Sequence, residues 1–303
     1  TTPLIKVERT KEQGAEVVLA GDVYDEAYEH ALKLAEERSL TFIHPFNDPI
    51  LAAGQGSIAM EIVQELPLVD IILVPIGGGG LATGVSTLAK MLNPRISVIG
   101  VEPAGAACMK ASLEAGHVVK LPSVNTIADG TAVLEPGDQI FPYIQENIDD
   151  IITVEDDELI VAFLDMVESH KMIVENSGLL TVAALKHLNV EGKKIVSILS
   201  GGNMDVITMS SVVQHGLIQR DRIFTVSVLL PDRPGELVRV AQTIADCNGN
   251  VVRLDHNQFV TANRNAAVEL RVTIEAFGTD HKNKIVHALE ENGFRPKLIQ
   301  VHL

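Results

Sequence analysis

The 303-residue sequence has no tryptophan, only three tyrosines and two cysteines, and fewer basic than acidic side chains. Cys108 and Cys247 cannot build a disulfide framework. That favours a reducing compartment, so a cytoplasmic location is expected. Lys and Arg number 24 against 40 Asp and Glu, a net charge of −16. A chain this acidic has no surplus of cations for a phosphate backbone, which argues against nucleic acid as a partner. The longest apolar run, 71–76, is far too short to span a bilayer, so no membrane partner is expected. The chain opens Thr1-Thr2-Pro3 with charges soon after, which is not a signal-peptide pattern. The missing initiator Met leads us to expect a start inside a longer protein. Apolar residues at 46% and charged residues at 21% describe a globular protein. At roughly 150 residues per domain the length predicts about two domains.

Short apolar runs alternate with helical patterns through the first two-thirds. Strands are expected over 16–19, 70–76, 96–101, 149–154 and 194–199. The run 70–76 is continuously apolar, as in a strand buried on both faces. Helices are expected over 24–38, 54–66, 81–91, 106–115, 155–169 and 177–188. The segment 24–38 sets Ala27, Ala31, Leu34 and Ala35 on one face and charges on the other. Strands alternating with helices of this length imply an α/β fold with an open, mostly parallel sheet. Near Arg220 the pattern changes. Strand 224–230, a turn at Asp232-Arg233-Pro234-Gly235, helix 236–247, strands 251–259 and 266–276, helix 279–292 and strand 297–303 follow in turn. This β-α-β-β-α-β order within about 80 residues is the ferredoxin-like plan. A boundary is expected at 216–223.

The strongest local signal is Gly77-Gly78-Gly79-Gly80, between a buried strand and a helix. Amides without a β-carbon can wrap an anion there, with the helix dipole behind them. A tight strand-to-helix turn would need only one or two glycines. No Gly-Lys-Ser/Thr follows, so a P-loop is excluded. A dinucleotide reading stays open, because Gly77-x-Gly79-x-x-Ala82 is trailed by Glu102 about 20 residues on. Ser200-Gly201-Gly202-Asn203 also follows a buried strand, and Ser200 reads either as a ligand contact or as a helix N-cap. His44-Pro45-Phe46-Asn47-Asp48-Pro49, followed by Ala53-Gly54-Gln55-Gly56, reads as a loop stiffened by prolines. Glu175 is open to either burial with a partner or exposure. The ten histidines show no metal-ligand spacing.

Together these phrases, with Thr2-Pro3-Leu4-Ile5-Lys6-Val7 and Gly14-Ala15-Glu16-Val17-Val18-Leu19, resemble the threonine ammonia-lyases, also called threonine dehydratases. These are fold-type II pyridoxal-phosphate enzymes. The likeness runs in order from Thr1 to about residue 216. Residues 223–303 resemble an ACT domain, a small-molecule sensor fused to such enzymes. The resemblance implies a remnant of the small domain over 1–50, the large domain over 51–220 and a regulatory ACT domain over 223–303. It implies pyridoxal phosphate held by Gly77, Gly78, Gly79, Gly80 and the Leu81 amide. Ser200 would bond the pyridine nitrogen as a neutral partner, and Glu175 matches an acidic residue near the cofactor. The activity implied is loss of ammonia from L-threonine, and from L-serine, in isoleucine biosynthesis. An amino-acid effector at the ACT domain, branched-chain by likeness to isoleucine-regulated relatives, and a homo-oligomer are implied as well.

Two departures stand out. The family's Schiff-base lysine sits in a Ser-x-Lys-x-Arg-Gly phrase and its cofactor-gripping Asn in Gly-Asn-His; neither phrase occurs in these 303 residues. Lys171, Lys193 and Lys194 lie in other contexts. The catalytic residue is therefore left unassigned, and an N-terminally truncated enzyme without a covalent cofactor is expected. Relatives that bind a divalent metal carry an acid where this chain has Cys108, so no metal is expected. A non-catalytic amino-acid sensor and a nicotinamide dehydrogenase are the competing readings.

Overall fold

The computed structural model describes residues 4–21, 24–257 and 268–301. Two compact units divide the chain, Thr1–Met209 and Ser210–Leu303.

In the first unit, α1 (Leu4–Glu12), α2 (Tyr24–Glu37), α3 (Pro49–Gln55) and α4 (Ser57–Glu65) precede β1 (Ile71–Pro75). Then come α5 (Gly80–Leu92), β2 (Ser97–Pro103), α6 (Cys108–Ala115), α7 (Phe141–Asn147), β3 (Asp150–Val154), α8 (Asp156–Asp165), α9 (Leu180–Ala183) and β4 (Ile195–Ser197). The four strands form one parallel sheet in the order β3-β2-β1-β4. Strand β1 lies inside it and is buried, which is why its sequence is apolar without alternation. Ile72, Val74, Ile76, Val98, Ala82, Val85 and Ile144 are fully buried between sheet and helices. Pro75, Pro103 and Val154 end their strands at one carboxyl edge, where α/β sheets present ligand-binding loops.

Several expected elements differ. No strand forms over 16–19, where Val18 and Leu19 are exposed and no ladder partner adjoins them among the described residues. The helix expected over 54–66 begins earlier. Asp48 accepts the Ile50 and Leu51 amides, and Pro49 opens α3, a cap and first-turn proline acting together. The helix expected over 155–169 ends its regular part at Asp165 and unwinds through a wider turn, Met166–His170, into Lys171 at φ +59°. The helix over 177–188 is three short pieces. Helices α1 and α7 were not expected.

Helix α10 (Val206–Gln219) leads into β5 (Ile223–Leu230), α11 (Glu236–Asp246), β6 (Asn250–Asn257), β7 (Val268–Glu275), α12 (Thr279–Glu291) and β8 (Lys297–Ile299) of the second unit. The division between units falls within α10 rather than at 216–223. The strands pair antiparallel in the order β6-β7-β5-β8. Phe224, Val226, Val228, Leu270, Val272 and Ile274 from the strands share one core with Val240, Ile244, Ile285 and Leu289 from α11 and α12. Parts of the expected strands 251–259, 266–276 and 297–303 lie outside the described residues.

Candidate functional site

The loop of Gly77, Gly78, Gly79 and Gly80 leaves the carboxyl end of β1 and becomes the first turn of α5. Gly79 has φ +103°, which a residue with a β-carbon adopts only under strain. The other glycines are required by close packing. A β-carbon on Gly78 would lie 2.2 Å from Phe46 Cδ2, and one on Gly80 would lie 2.8 Å from the Phe46 carbonyl oxygen. One on Gly77 would meet Thr131 Cα at 2.9 Å. On Gly79 it would overlap Ile140 and Met109. The loop is thus walled on its Cα side by four separate segments. Its Gly78 carbonyl accepts the Gly137 amide at 3.0 Å. By contrast, the amides of Gly77, Gly78, Gly79, Gly80 and Leu81 have no hydrogen-bond partner among the described residues. A wall on one side and a row of unpaired donors at a helix N-terminus make an anion cradle.

Strand β4 neighbours β1, with Leu73 opposite Ser197. Ser200 therefore emerges at the same edge as the glycine loop, one strand over. Its hydroxyl has no partner among the described residues. It does not cap α10, because Asp205 does so by accepting the Thr208 amide at 2.9 Å. The N-cap alternative for Ser200 is thereby removed. The Ser200 carbonyl oxygen would lie 2.3 Å from a β-carbon on Gly178.

Glu175 is half-buried and reaches the same loop. Its Oε2 accepts the Asn203 amide at 3.1 Å, and its Cδ would lie 2.4 Å from a β-carbon on Gly201. Its Oε1 lies 3.2 Å from the β-carbon position of Gly130. Next to it, the buried Asn176 Oδ1 and Ser177 Oγ are without a hydrogen-bond partner among the described residues. Glu175, Gly130, Ser177 and the Ser200 loop form one cluster.

Glu102, the acid of the dinucleotide reading, is fully buried at the end of β2. Its two oxygens accept the Met109 and Lys110 amides, each at 2.8 Å, so both are committed to the N-terminus of α6. Glu102 is also 0% exposed, so its carboxyl is closed off from a ribose hydroxyl arriving from solvent. Burial pushes its carboxyl up to about 7 against the pull of those amides. Burial, with Glu102 beside it, pushes the Cys108 thiol up to about 12. Among the described residues no group of three or more His, Cys, Asp or Glu side chains could hold a metal ion. No helix of the described residues is long and apolar enough to cross a membrane.

Lys171, Lys193 and Lys194 are all exposed. Lys193 and Lys194 precede β4, at the edge of the sheet opposite the cradle. What the sequence reading missed is the wall: Phe46, Met109, Thr131 and Ile140. Only Phe46 carried a signal, the proline-flanked phrase at 44–49.

The model of the family described as pyridoxal-phosphate dependent enzyme matches residues 1–201. The L-threonine ammonia-lyase of Geobacter sulfurreducens is 40% identical over 296 residues, covering 97% of this chain and 74% of that protein. The L-threonine ammonia-lyase of Thermotoga maritima is 36% identical, covering 98% of this chain and 74% of its own length. Among solved structures, the processed form of threonine deaminase isoform 2 from Solanum lycopersicum is similar with a TM-score of 0.67 and 41% identity. That likeness covers 71% of this chain and 64% of the tomato chain. The chain thus spans under two-thirds of the tomato protein and about three-quarters of the two bacterial ones. With the anion cradle at the carboxyl edge of a parallel sheet and this match across its first two-thirds, the chain belongs to the pyridoxal-phosphate dependent enzymes.

Proposed function

We propose that the protein is a threonine ammonia-lyase, releasing ammonia from L-threonine to leave 2-oxobutanoate, and from L-serine to leave pyruvate. The observation that carries this reading is the cradle itself: unpaired amides at 77–81 beside the Ser200 loop, on adjacent parallel strands. The names of the bacterial relatives and of the tomato structure support the substrate.

The residues present fit pyridoxal phosphate. The amides of Gly77, Gly78, Gly79, Gly80 and Leu81 would hold its phosphate, because the absence of β-carbons lets the backbone approach closely. Ser200 would offer a neutral hydroxyl, rather than an acid, to the ring nitrogen. Glu175 holds the Asn203 amide and so orders the loop that carries Ser200. The unpaired Asn176 and Ser177 oxygens provide further polar lining beside it. When bound, the cofactor supplies the electron sink for loss of the substrate's α-proton. No lysine of this chain stands in the family's Ser-x-Lys-x-Arg-Gly phrase, so that proton is assigned to none of its residues.

The second unit is read as an ACT-type regulator of a homo-oligomer. Its β-α-β-β-α-β order and the turn at Gly235, φ +98°, ahead of α11 support an amino-acid effector whose carboxylate meets the turn amides.

The deciding assay follows 2-oxobutanoate from L-threonine, with the protein as its gene encodes it, loaded with pyridoxal phosphate. Turnover is expected. Clean cofactor binding with no 2-oxobutanoate or pyruvate would leave the fold and remove the activity.

A further inference from the structure

Phe46 packs against two of the four glycines, Gly78 and Gly80, and is itself held by an unusual arrangement. His44 Nδ1 accepts two backbone amides, those of Phe46 at 3.2 Å and Asn47 at 2.9 Å. An imidazole nitrogen that accepts two N–H groups carries no proton, so the ring is neutral with its hydrogen on Nε2. The rings of Tyr28, Phe42 and Phe46 meet it edge-on, with centroids 5.3, 6.1 and 4.7 Å away. Asn47 continues the brace, its side chain donating to Asp138 Oδ1 at 2.7 Å and accepting the Gln139 amide at 2.9 Å. Gly137, in the same segment, donates to the Gly78 carbonyl. Tyr28, His44, Phe46, Asn47, Gly137 and Asp138 line a cavity of about 400 Å³.

We propose that His44 is the positioning residue of the anion cradle, its neutral Nδ1 seating Phe46 against Gly78 and Gly80, and that protonation of the ring releases Phe46 and weakens anion binding. This inference rests on the reading of 77–81 as a phosphate cradle. A proton on Nδ1 would face two N–H donors at hydrogen-bond distance, so both contacts would be lost together. Asp48 and Asp138 face the ring and favour the proton; Glu135 and Tyr28 line the same cavity. Burial opposes them and prevails, holding His44 below the ordinary imidazole range. The neutral form is therefore the resting form at neutral pH.

The test uses the 303-residue chain and sulfate, whose charge is constant between pH 8 and pH 5. On acidification this acidic protein grows less negative, which by charge alone should tighten sulfate. The proposal expects the reverse in the wild type: affinity falling about fivefold or more between pH 8 and pH 5, with the circular dichroism unchanged. His44→Asn keeps an acceptor at the same reach without a proton to gain, so its sulfate affinity should not fall. His44→Leu should bind weakly at both pH values. Wild-type affinity that holds or rises at pH 5, or a fall of equal size in His44→Asn, overturns the inference while leaving the cradle standing. Absence of sulfate binding at pH 8 in the folded wild type overturns the cradle, and this inference with it.

Discussion

Gly201 and Glu175 are packed so closely that a β-carbon on the glycine would sit 2.4 Å from the carboxyl carbon of the glutamate. Gly201 also has φ +87°, in the region that L side chains avoid. The pair joins the loop after β4 to the segment before α9. Gly201→Ala should therefore cost roughly 1–2 kcal/mol in backbone strain and displace Glu175 as well. Because Ser200 is the adjacent residue, turnover of the loaded enzyme should drop roughly tenfold to a hundredfold. Thermal melting and a threonine assay on the same preparation separate the two effects. Full turnover would show that the Glu175 contact does not position the site.

Gly78→Ala addresses the cradle. The added methyl would occupy the position of the Phe46 ring edge, at 2.2 Å. Either Phe46 or the loop must move, at about 1–3 kcal/mol. Sulfate and pyridoxal phosphate should both bind at least about tenfold more weakly. Calorimetry at pH 8 reads this directly, and unchanged affinity for both would show that the loop amides are not the anion site.

Ser200→Ala isolates the ring contact. The hydroxyl has no partner among the described residues, so its loss should leave stability unchanged. A neutral hydrogen bond contributes about 0.5–1.5 kcal/mol, which corresponds to a loss of about twofold to twelvefold in cofactor affinity. A change in melting temperature with cofactor affinity intact would assign Ser200 to the fold instead.

The sheet was legible because buried parallel strands are written as continuous apolar runs, 70–76 above all. The run over 16–19 looks similar, but a strand exists only where another can pair with it, and none among the described residues adjoins Val18 and Leu19. Helix starts were under-read: Asp48-Pro49 and Asp205 with Thr208 carry N-cap and first-turn signals that local chemistry alone explains. The cradle was legible because glycine is itself the signal. Its wall was not. Phe46, Met109, Thr131 and Ile140 come from four distant segments, and nothing local to any of them says that it will press against a glycine. Ser200 was ambiguous between ligand contact and N-cap until Asp205 was found capping α10.

For the second unit the expected result is saturable heat on titrating isoleucine or valine into the protein, and none with a substitution that disrupts the turn at Gly235. Absence of heat with isoleucine, valine, threonine and serine alike would leave this unit as an association module.

The last prediction concerns Glu102 and the pH dependence of stability. Its ordinary range is near 4.5, and burial in the folded chain lifts it to about 7. The folded state thus holds a proton that the unfolded state has released between those two values. Stability from this group is fully present below about pH 4.5, declines as pH rises and is lost by about pH 7, at up to roughly 1.4 kcal/mol per pH unit. The full span is on the order of 3 kcal/mol, an upper bound. Glu102→Gln keeps an acceptor for one of the two α6 amides and cannot ionise. Urea unfolding of the first unit, followed by circular dichroism from pH 5 to pH 8, should show a decline in the wild type and less of one in the variant. The two should be closest at pH 5, where wild-type Glu102 is protonated and likewise offers one good acceptor. The effect should reach the cradle, because α6 places the Cys108 thiol 3.9 Å from the Gly77 carbonyl oxygen and Met109 against Gly79. Sulfate affinity in Glu102→Gln should accordingly differ from wild type at pH 8 more than at pH 5. An identical pH slope in wild type and variant would mean that the Glu102 carboxyl does not titrate in this range, and that the α6 turn is fixed by its apolar packing alone.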